Sequence, residues 1–446
     1  MTQPVARRVL LPLATFAVAH SILGCPTTNM VGDDAGPRPD TVLLALDAPL
    51  PPSDTPLASD TPLASDTPLA SDTPPTLPDA FGPDAAVDPC AASDLDLLFM
   101  VDNSGSMREE QANLIAELPR LVRILSSGDF DGDGRRDFVP ARSIHVGFVT
   151  SDMGSGDEMN VRTCTRGLGD DGLLRSTVSA VSGPCMARYP SGTFAFMRGG
   201  DPDSFATTLG CVANVGTAGC GFEQQLEAPL KALTPTTAEA WTRTGYTPPR
   251  FFDPVSGLPG ILPGHASAAN AGFLRPNSTL AVVLLTDEED CSAADYSIFS
   301  ATDPRFTSTP ANLRCNTFGG DPSIVYPTSR YVEGLLGLRR NPNQLVFGLI
   351  AGIPPEVEPL AAAGNFAAVL ANPNMVPRPD ASGNTLEPSC STANGVAYPP
   401  VRMVQVAAGL ASQGAAVSVS SICSPTFTGP INDIVRRLGT VPASCE

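Results

Sequence analysis

The sequence predicts an α/β domain built on a doubly wound, mostly parallel β-sheet, and two observations predict it. Short apolar runs of strand length alternate along the chain with segments whose apolar residues recur every three or four positions. The strongest run is continuously apolar, which indicates a strand buried on both faces by helices. The pattern begins near residue 90, so we expect a single domain over residues 90–446.

The predicted strands are spread widely along the chain. The first, Asp94–Val101, ends at a polar loop, and Ser143–Thr150 is the next apolar run. Residues 279–286, with the sequence TLAVVLLT, form the strongest candidate for a buried strand. Two further strands are predicted at residues 344–351 and 415–421.

Amphipathic helices are predicted between these strands. In residues 107–127, four leucines at three- and four-residue spacing form one apolar face. Further helices are predicted at residues 222–233, 329–338, 402–412 and 430–438.

Long segments rich in Gly, Pro and Cys separate the predicted elements, at residues 151–215, 243–265, 287–327 and 371–400. Loops of this length are uncommon in compact domains unless they are functional or cross-linked. The chain has 11 cysteines. Without Cys25 the number is even, which in an exported protein predicts up to five disulfides. Cys90 and Cys445 bracket the domain, but the sequence does not reveal which cysteines pair.

The N-terminus has the layout of a secretory signal peptide. Arg7 and Arg8 precede a mainly apolar run over residues 9–23, and small residues follow. The end of this run, Ile-Leu-Gly-Cys25, resembles the bacterial lipobox, whose cysteine is lipidated and becomes the new N-terminus. The alternative is an ordinary signal peptide with a cysteine near its cleavage site. We expect residues 1–25 to direct export, and Cys25 to anchor the protein in the cell envelope, at the outer membrane or cell surface.

Residues 26–89 are rich in Pro, Asp, Thr, Ala and Ser. The sequence Ser-Asp-Thr-Pro recurs every six residues from Ser53 to Ser71. Such a segment has too little apolar content to offset the entropy of ordering the chain, so it is predicted to be a disordered linker. A short solenoid is the alternative, but one Leu and one Ala between the repeats offer almost no core.

Charge and histidine content exclude several function classes. The chain has 27 basic and 46 acidic residues, a formal net charge of −19, which argues against nucleic-acid binding and suits cation binding. It has three histidines, which leaves little material for zinc catalysis or histidine-dependent triads.

The first predicted strand ends at Asp102-Asn-Ser104-Gly105-Ser106. One carboxylate and two hydroxyls on a tight loop are oxygen ligands of the kind Mg²⁺ prefers, and Gly105 is expected to let both serines face the ion. The alternative is a polar turn that caps the following helix. The Asp-x-Ser-x-Ser pattern between a buried strand and a helix resembles the metal-ion-dependent adhesion site of von Willebrand factor A domains. The resemblance implies that family's fold and a bound Mg²⁺ that an acidic group of a partner helps to coordinate.

The resemblance implies a second aspartate after the fourth strand of the sheet, usually in a Thr-Asp-Gly turn. Here Asp287 matches the aspartate and Glu288 replaces the glycine, and Asp290 and the glutamates are expected to add negative potential. The family's remaining ligand is a threonine, but the best alignment places Cys220 there. Because a disulfide-bonded Cys220 cannot bind the ion, Thr217 or Glu223 is the expected substitute.

A candidate calcium loop follows the first helix. Four aspartates and a glycine take up positions typical of the first nine residues of an EF-hand-like loop: Asp129, Asp131, Asp133, Asp137 and Gly134. The bidentate glutamate is missing, because Pro140 stands at its place. The loop therefore predicts a variant, structural Ca²⁺ site, with a plain acidic turn as the alternative.

Together these features predict a non-catalytic, exported binding or adhesion module. It would capture a protein or another acidic ligand at the cell surface through Mg²⁺, with Ca²⁺ as a second candidate ion. Two alternatives stay open: an exported hydrolase whose metal activates water, and a structural envelope protein with a vestigial site.

Overall fold

The computed structural model describes residues 94–392 and 395–441. The predicted signal peptide with Cys25, the predicted linker over residues 26–89, and the bracketing cysteines Cys90 and Cys445 lie outside the described residues. Among the described residues, no helix is both long and apolar enough to cross a membrane.

The described strands form one central sheet and two small hairpins. They are β1 (Asp94–Val101), β2 (Ser143–Thr150), β3 (Phe194–Met197), β4 (Phe251–Asp253), β5 (Leu258–Leu262), β6 (Thr279–Leu285), β7 (Leu345–Ala351), β8 (Cys390–Thr392), β9 (Gly395–Ala397) and β10 (Ala416–Ser421). The central sheet has the order β10-β7-β6-β1-β2-β3, while β4–β5 and β8–β9 are separate antiparallel pairs.

The central sheet is parallel except for its edge strand β3, which runs antiparallel to β2. On one side of the sheet, β2 and β3 follow β1 in order. On the other side, β7 and β10 follow β6 in order. The strand order therefore reverses between β1 and β6, where Val101 pairs with Leu285. In open α/β sheets, ligands bind beyond the carboxyl ends of the strands at such a reversal. The prediction of a mostly parallel α/β sheet is confirmed.

The described helices pack on the sheet and on one another. They are α1 (Arg108–Ser127), α2 (Pro202–Ala213), α3 (Glu227–Leu233), α4 (Ala311–Phe318), α5 (Thr328–Leu336), α6 (Glu358–Ala362), α7 (Phe366–Leu370), α8 (Val401–Ser412) and α9 (Thr428–Gly439).

Both faces of the central sheet are buried. Alternate residues of β1 point to opposite faces, so Leu97 packs with side chains of α1, α2 and α9, whereas Leu98 packs with those of α3, α5 and α8. Each fully buried side chain of this kind contributes about 1.5–3 kcal/mol relative to an exposed one. This two-sided burial explains why the strands read as continuous apolar runs.

Helix α1 follows the predicted pattern closely. Leu114, Leu118, Leu121 and Leu125 are all buried on its inner face. The helix ends at Gly128, whose φ of 77° is left-handed and whose N–H donates to the Ile124 carbonyl.

Several predictions of local structure were wrong. The segments 243–265, 287–327 and 371–400, predicted as long loops, contain β4 and β5, α4, and β8 and β9, respectively. The helix predicted over residues 222–233 begins only at Glu227, because the preceding backbone pairs elsewhere: the N–H of Gln224 donates to the Ser151 carbonyl. The segment 151–215, predicted as a long loop, contains β3 and α2. Strand β3 has only four residues and pairs with β2 alone, so its sequence carries a weak signal.

Disulfides cross-link three of the four long segments. Within the described residues four are present: Cys164–Cys220, Cys185–Cys211, Cys291–Cys315 and Cys390–Cys423. They tie residues in three of these segments to one another or to nearby helices and strands, as predicted. The fourth segment, residues 243–265, contains no cysteine, so it is not cross-linked.

Candidate metal site

The two predicted aspartates follow the two strands at which the strand order reverses. Asp102 follows β1, and its backbone N–H donates to the carbonyl of Leu285, the last residue of β6 (3.0 Å). Asp287 lies two residues beyond Leu285. The sheet thus brings both aspartates to its carboxyl edge, as the order of parallel strands requires.

The carboxylate of Asp102 is fixed by hydrogen bonds. Its Oδ1 accepts from the Ser104 N–H (2.8 Å) and the Ser151 hydroxyl (3.2 Å), and its Oδ2 accepts from the Thr286 hydroxyl (2.6 Å). The amide of Gln225 in turn donates to the Thr286 oxygen (3.1 Å). Asp102 is completely buried, and burial raises the pKa of its carboxyl group.

The two serine hydroxyls lie next to this carboxylate. The Oγ atoms of Ser104 and Ser106 are 3.3 Å apart, and Ser106 lies close enough to Asp287 to oppose, in part, the rise in its pKa that burial causes. The expectation that Gly105 is needed for the bend was wrong: its φ is not in the left-handed region, and an added Cβ would meet nothing within 4 Å.

Four carboxyl groups converge at this edge of the sheet: Asp102, Glu223, Asp287 and Glu288. We call them the carboxylate cluster. Burial, and then the charges of Asp102 and Glu288, raise the pKa of Asp287 well above its usual range. Burial, and then the charges of Glu288 and Asp102, do the same to the pKa of Glu223.

Glu288 completes the carboxylate cluster. Burial and the charge of Asp102 raise its pKa to about 7, while the neighbouring Glu223 side chain acts in the opposite direction. Buried neighbouring carboxyl groups are unfavourable when ionised, so they need protons or a cation to neutralise them. Glu110, in the first turn of α1, adds a fifth negative charge that acts on Asp287.

The carboxylate cluster lacks compensating positive charge. None of the salt bridges within residues 94–392 and 395–441 involves any of its four members. Two buried oxygens, Oδ1 of Asp287 and Oε1 of Glu223, have no hydrogen-bond partner. Buried polar atoms are normally paired, so these two oxygens call for a proton, a water or an ion.

The donor types at this edge of the sheet suit a hard divalent cation, but no three carboxylates of the cluster have oxygens within 4.8 Å of one another; among the described residues, only Asp129, Asp131 and Asp137 do. Carboxylate and hydroxyl oxygens are the ligands that Mg²⁺ and Ca²⁺ take, and the cluster offers no nitrogen or sulfur donor. Asp102, Ser104, Ser106, Asp287 and Glu223 are the residues that would hold it.

The loop of residues 217–223 contains the three candidates for the remaining metal ligand: Thr217, Cys220 and Glu223. Cys220 is disulfide-bonded to Cys164, so it cannot bind an ion. Thr217 is half-buried and, among the described residues, hydrogen-bonds to none of the other predicted ligands. Glu223 belongs to the carboxylate cluster and is therefore the better substitute.

This loop is held against the Asp102 turn. The amide of Gln111 donates to the carbonyls of Asp102 (2.9 Å) and Gly216 (2.8 Å), and the Gly219 N–H donates to the Asn103 carbonyl (2.8 Å). A Cβ on Gly219 would lie 2.2 Å from Oδ1 of Asn103. A side chain at position 219 would therefore displace the Asn103 amide, whereas one at position 105 would displace nothing.

The expectation that Asp290 and Glu289 add negative potential to the site was wrong. Oδ2 of Asp290 forms an ion pair with the Arg402 guanidinium (3.1 Å). Glu289 accepts from the Arg402 backbone N–H (3.1 Å), and burial raises its pKa to about 8, which leaves it mostly protonated at neutral pH. Both side chains fasten the start of α8.

The candidate calcium loop is partly assembled. Ligand oxygens of Asp129, Asp131 and Asp137 lie within 4.8 Å of one another, whereas Asp133 is not part of this group. The carboxylate of Asp129 accepts from the N–H groups of Gly132 (2.7 Å) and Gly134 (2.9 Å). The loop is exposed, and these contacts are also those of an acidic turn.

Sequence reasoning missed the residues that support the site. Ser151 directly follows β2 and Thr286 directly follows β6, so a hydroxyl at the end of each neighbouring strand was an available signal. Glu288 was recognised only as a departure from the family pattern and a source of negative potential. No family model matches the chain, and a search of curated proteins found no similar protein.

Proposed function

We propose that the protein is a non-catalytic binding protein with a von Willebrand factor A-like domain, which captures an acidic group of its ligand through a bound divalent cation. The observation that carries the proposal is the carboxylate cluster, buried without a basic partner where the strand order reverses. Buried like charges are unfavourable unless protons or a cation neutralise them.

The proposed ion is Mg²⁺. Asp102 and the hydroxyls of Ser104 and Ser106 hold it from one loop, and Asp287 and Glu223 hold it from two others. A carboxylate from the ligand then binds the remaining coordination position, which combines charge attraction with a directional bond. Ca²⁺ is proposed as a structural ion in the Asp129 loop.

The proposed location is the bacterial cell envelope, with a lipid on Cys25 as the membrane anchor. Four disulfides are typical of an oxidising compartment. The net charge of −19 disfavours nucleic acid as the partner and leaves a protein or another acidic ligand at the cell surface.

The proposal is tested by titrating the protein with Mg²⁺ in a calorimeter. We expect saturable binding that Asp102→Asn weakens at least about 100-fold, because the variant removes a charged ligand. Asp157→Asn is the matched control, since Asp157 is exposed and paired with Arg166 (3.3 Å). No heat from Mg²⁺, or equal affinity in Asp102→Asn, would contradict the proposal.

Ligand capture has its own measurement. Immobilised polyglutamate should retain the protein in Mg²⁺ and release it in EDTA, and Asp287→Asn should not be retained. If the protein were structural with a vestigial site, the unaltered protein and Asp287→Asn would be retained equally.

The hydrolase alternative predicts Mg²⁺-dependent turnover of ester or phosphoester substrates. Both described histidines are engaged elsewhere: Nδ1 of His145 lies 3.0 Å from the Phe273 carbonyl, and Nε2 of His265 lies 3.0 Å from Oδ2 of Asp171. These contacts favour the binding function, and turnover abolished by Asp102→Asn would overturn it.

A further inference from the structure

A cavity of about 140 Å³ opens beside the carboxylate cluster. Glu223 and Glu288 form part of its wall, and the Cys291–Cys315 disulfide and the start of α4 form another part. Phe222 and Tyr398 contribute aromatic surface. The cavity therefore combines an acidic wall with apolar and aromatic walls. We call it the acidic cavity.

The acidic wall contains an unpaired buried carboxyl oxygen. Glu223 is only 2% exposed, and its Oε1 has no hydrogen-bond partner. The residues that line the cavity include no Lys, Arg or His. Glu289 also lines it, but its carboxyl group already accepts from the Asp290 and Arg402 backbone N–H groups. The unused acceptor thus belongs to Glu223, with Glu288 beside it in the wall, and a charged hydrogen-bond donor is the partner that suits both carboxyl groups.

We propose that the acidic cavity binds a guanidinium or primary ammonium group of the ligand. This inference rests on the proposed function, because it describes a second group on the ligand that the cation site captures. The ligand then carries an acidic group for the cation and a basic group close to it, as a protein segment with neighbouring Asp or Glu and Arg or Lys does.

The size and lining of the acidic cavity suit such a group. A cavity of about 150 Å³ accommodates a molecule of six carbon atoms, so a guanidinium with two methylenes fits, and the rest of a longer chain extends through the opening. Phe222 and Tyr398 add aromatic surface, which favours a nearby cation, and the disulfide offers apolar surface to the methylenes.

The probe for this proposal is n-butylguanidinium, with n-butylurea as its uncharged near-isostere. Titration of the protein in EDTA should give saturable binding of n-butylguanidinium, at least about tenfold tighter than that of n-butylurea, because only the charged probe pairs with the carboxylates. Equal binding of both probes, or no binding of n-butylguanidinium, would overturn the proposal.

Two variants locate the bound probe. Ala311→Trp puts a large side chain at the exposed start of α4, in the cavity wall, and should weaken n-butylguanidinium at least about tenfold while Mg²⁺ affinity stays unchanged. Asp102→Asn should lose Mg²⁺ and keep n-butylguanidinium. Loss of the probe in Asp102→Asn alone would mean that it occupies the cation site, which contradicts the proposal. Absence of Mg²⁺ binding in the unaltered protein would refute the proposed function while the guanidinium result stands separately.

Discussion

The substitution Glu288→Gln should stabilise the metal-free protein while it weakens Mg²⁺ binding. Burial and the charge of Asp102 raise the pKa of Glu288 from 4.5 to about 7. Each pH unit between the folded and unfolded values corresponds to about 1.4 kcal/mol, so ionised Glu288 destabilises the fold by about 3 kcal/mol. Glutamine keeps the shape of the side chain and removes that charge.

The pH dependence of the free energy of unfolding follows from which state, folded or unfolded, holds the Glu288 proton. Between pH 4.5 and about 7, folded Glu288 keeps a proton that the unfolded chain has released, so the free energy of unfolding falls as the pH rises. Above about pH 7 the full destabilisation by ionised Glu288 is present, and below pH 4.5 it is absent. In EDTA the variant should therefore match the unaltered protein at pH 4 and exceed it at pH 8.

The assay is thermal unfolding in EDTA at pH 4, 6 and 8, with the disulfides intact. For a domain of this size, about 3 kcal/mol raises Tm by about 4 °C at pH 8. Glu387→Gln, at an exposed position, is the matched control and should change Tm little. In saturating Mg²⁺ the unaltered protein should have the higher Tm, because the ion stabilises it more than it stabilises Glu288→Gln. A lower Tm for Glu288→Gln in EDTA at pH 8 would refute the reasoning.

Three further changes test other parts of the structure. Gly219→Ala should weaken Mg²⁺ binding about threefold in calorimetry, because its Cβ would lie 2.2 Å from Oδ1 of Asn103 and displace that side chain next to the Asp102 turn; unchanged affinity would contradict this. The Arg142 side chain, chiefly through its hydrogen bond, lowers the pKa of Asp94 to about 2, so Arg142→Met should cost about 1 kcal/mol at pH 7, after allowance for solvent exposure. The difference in unfolding free energy should shrink as the pH falls from about 4 to 2, and a constant difference would point to lost packing instead. Asp129→Asn should abolish a Ca²⁺-dependent rise in Tm, and a rise that persists would place the ion elsewhere.

The central strands and α1 could be predicted because their signal is local. The buried strands β1, β6 and β7 are mostly apolar runs, and the four buried leucines of α1 keep helical spacing. Strand β10 is also buried, but it contains three serines and gives a weaker signal. The edge strand β3 and the small hairpins could not be predicted in the same way. Their positions depend on partners that are distant in sequence, as in the pairing of Phe194 with Val146.

The candidate site likewise combines residues that a local sequence signal predicts with residues that it does not. Asp102 and Asp287 could be found because each directly follows a strong strand, and the family resemblance names both positions. Glu223 was found only as a substitute, and Glu288 was expected to add negative potential but was not named as a ligand. Their convergence depends on the irregular backbone before α3 and on the turn after β6, which no short sequence pattern specifies.

Replacing the family's threonine by Glu223 changes the charge balance of the site, and this change connects the two proposals. With threonine, two aspartates would balance one divalent cation. Here Asp102, Asp287 and Glu223 contribute three negative charges and Glu288 a fourth, so a bound Mg²⁺ still leaves an excess of two when all are ionised. For a purely acidic ligand, that excess weakens the attraction exerted by the bound ion. A ligand that brings a basic group into the acidic cavity offsets part of that excess, and for this reason we expect polyglutamate to bind less tightly than a peptide that alternates Glu and Arg.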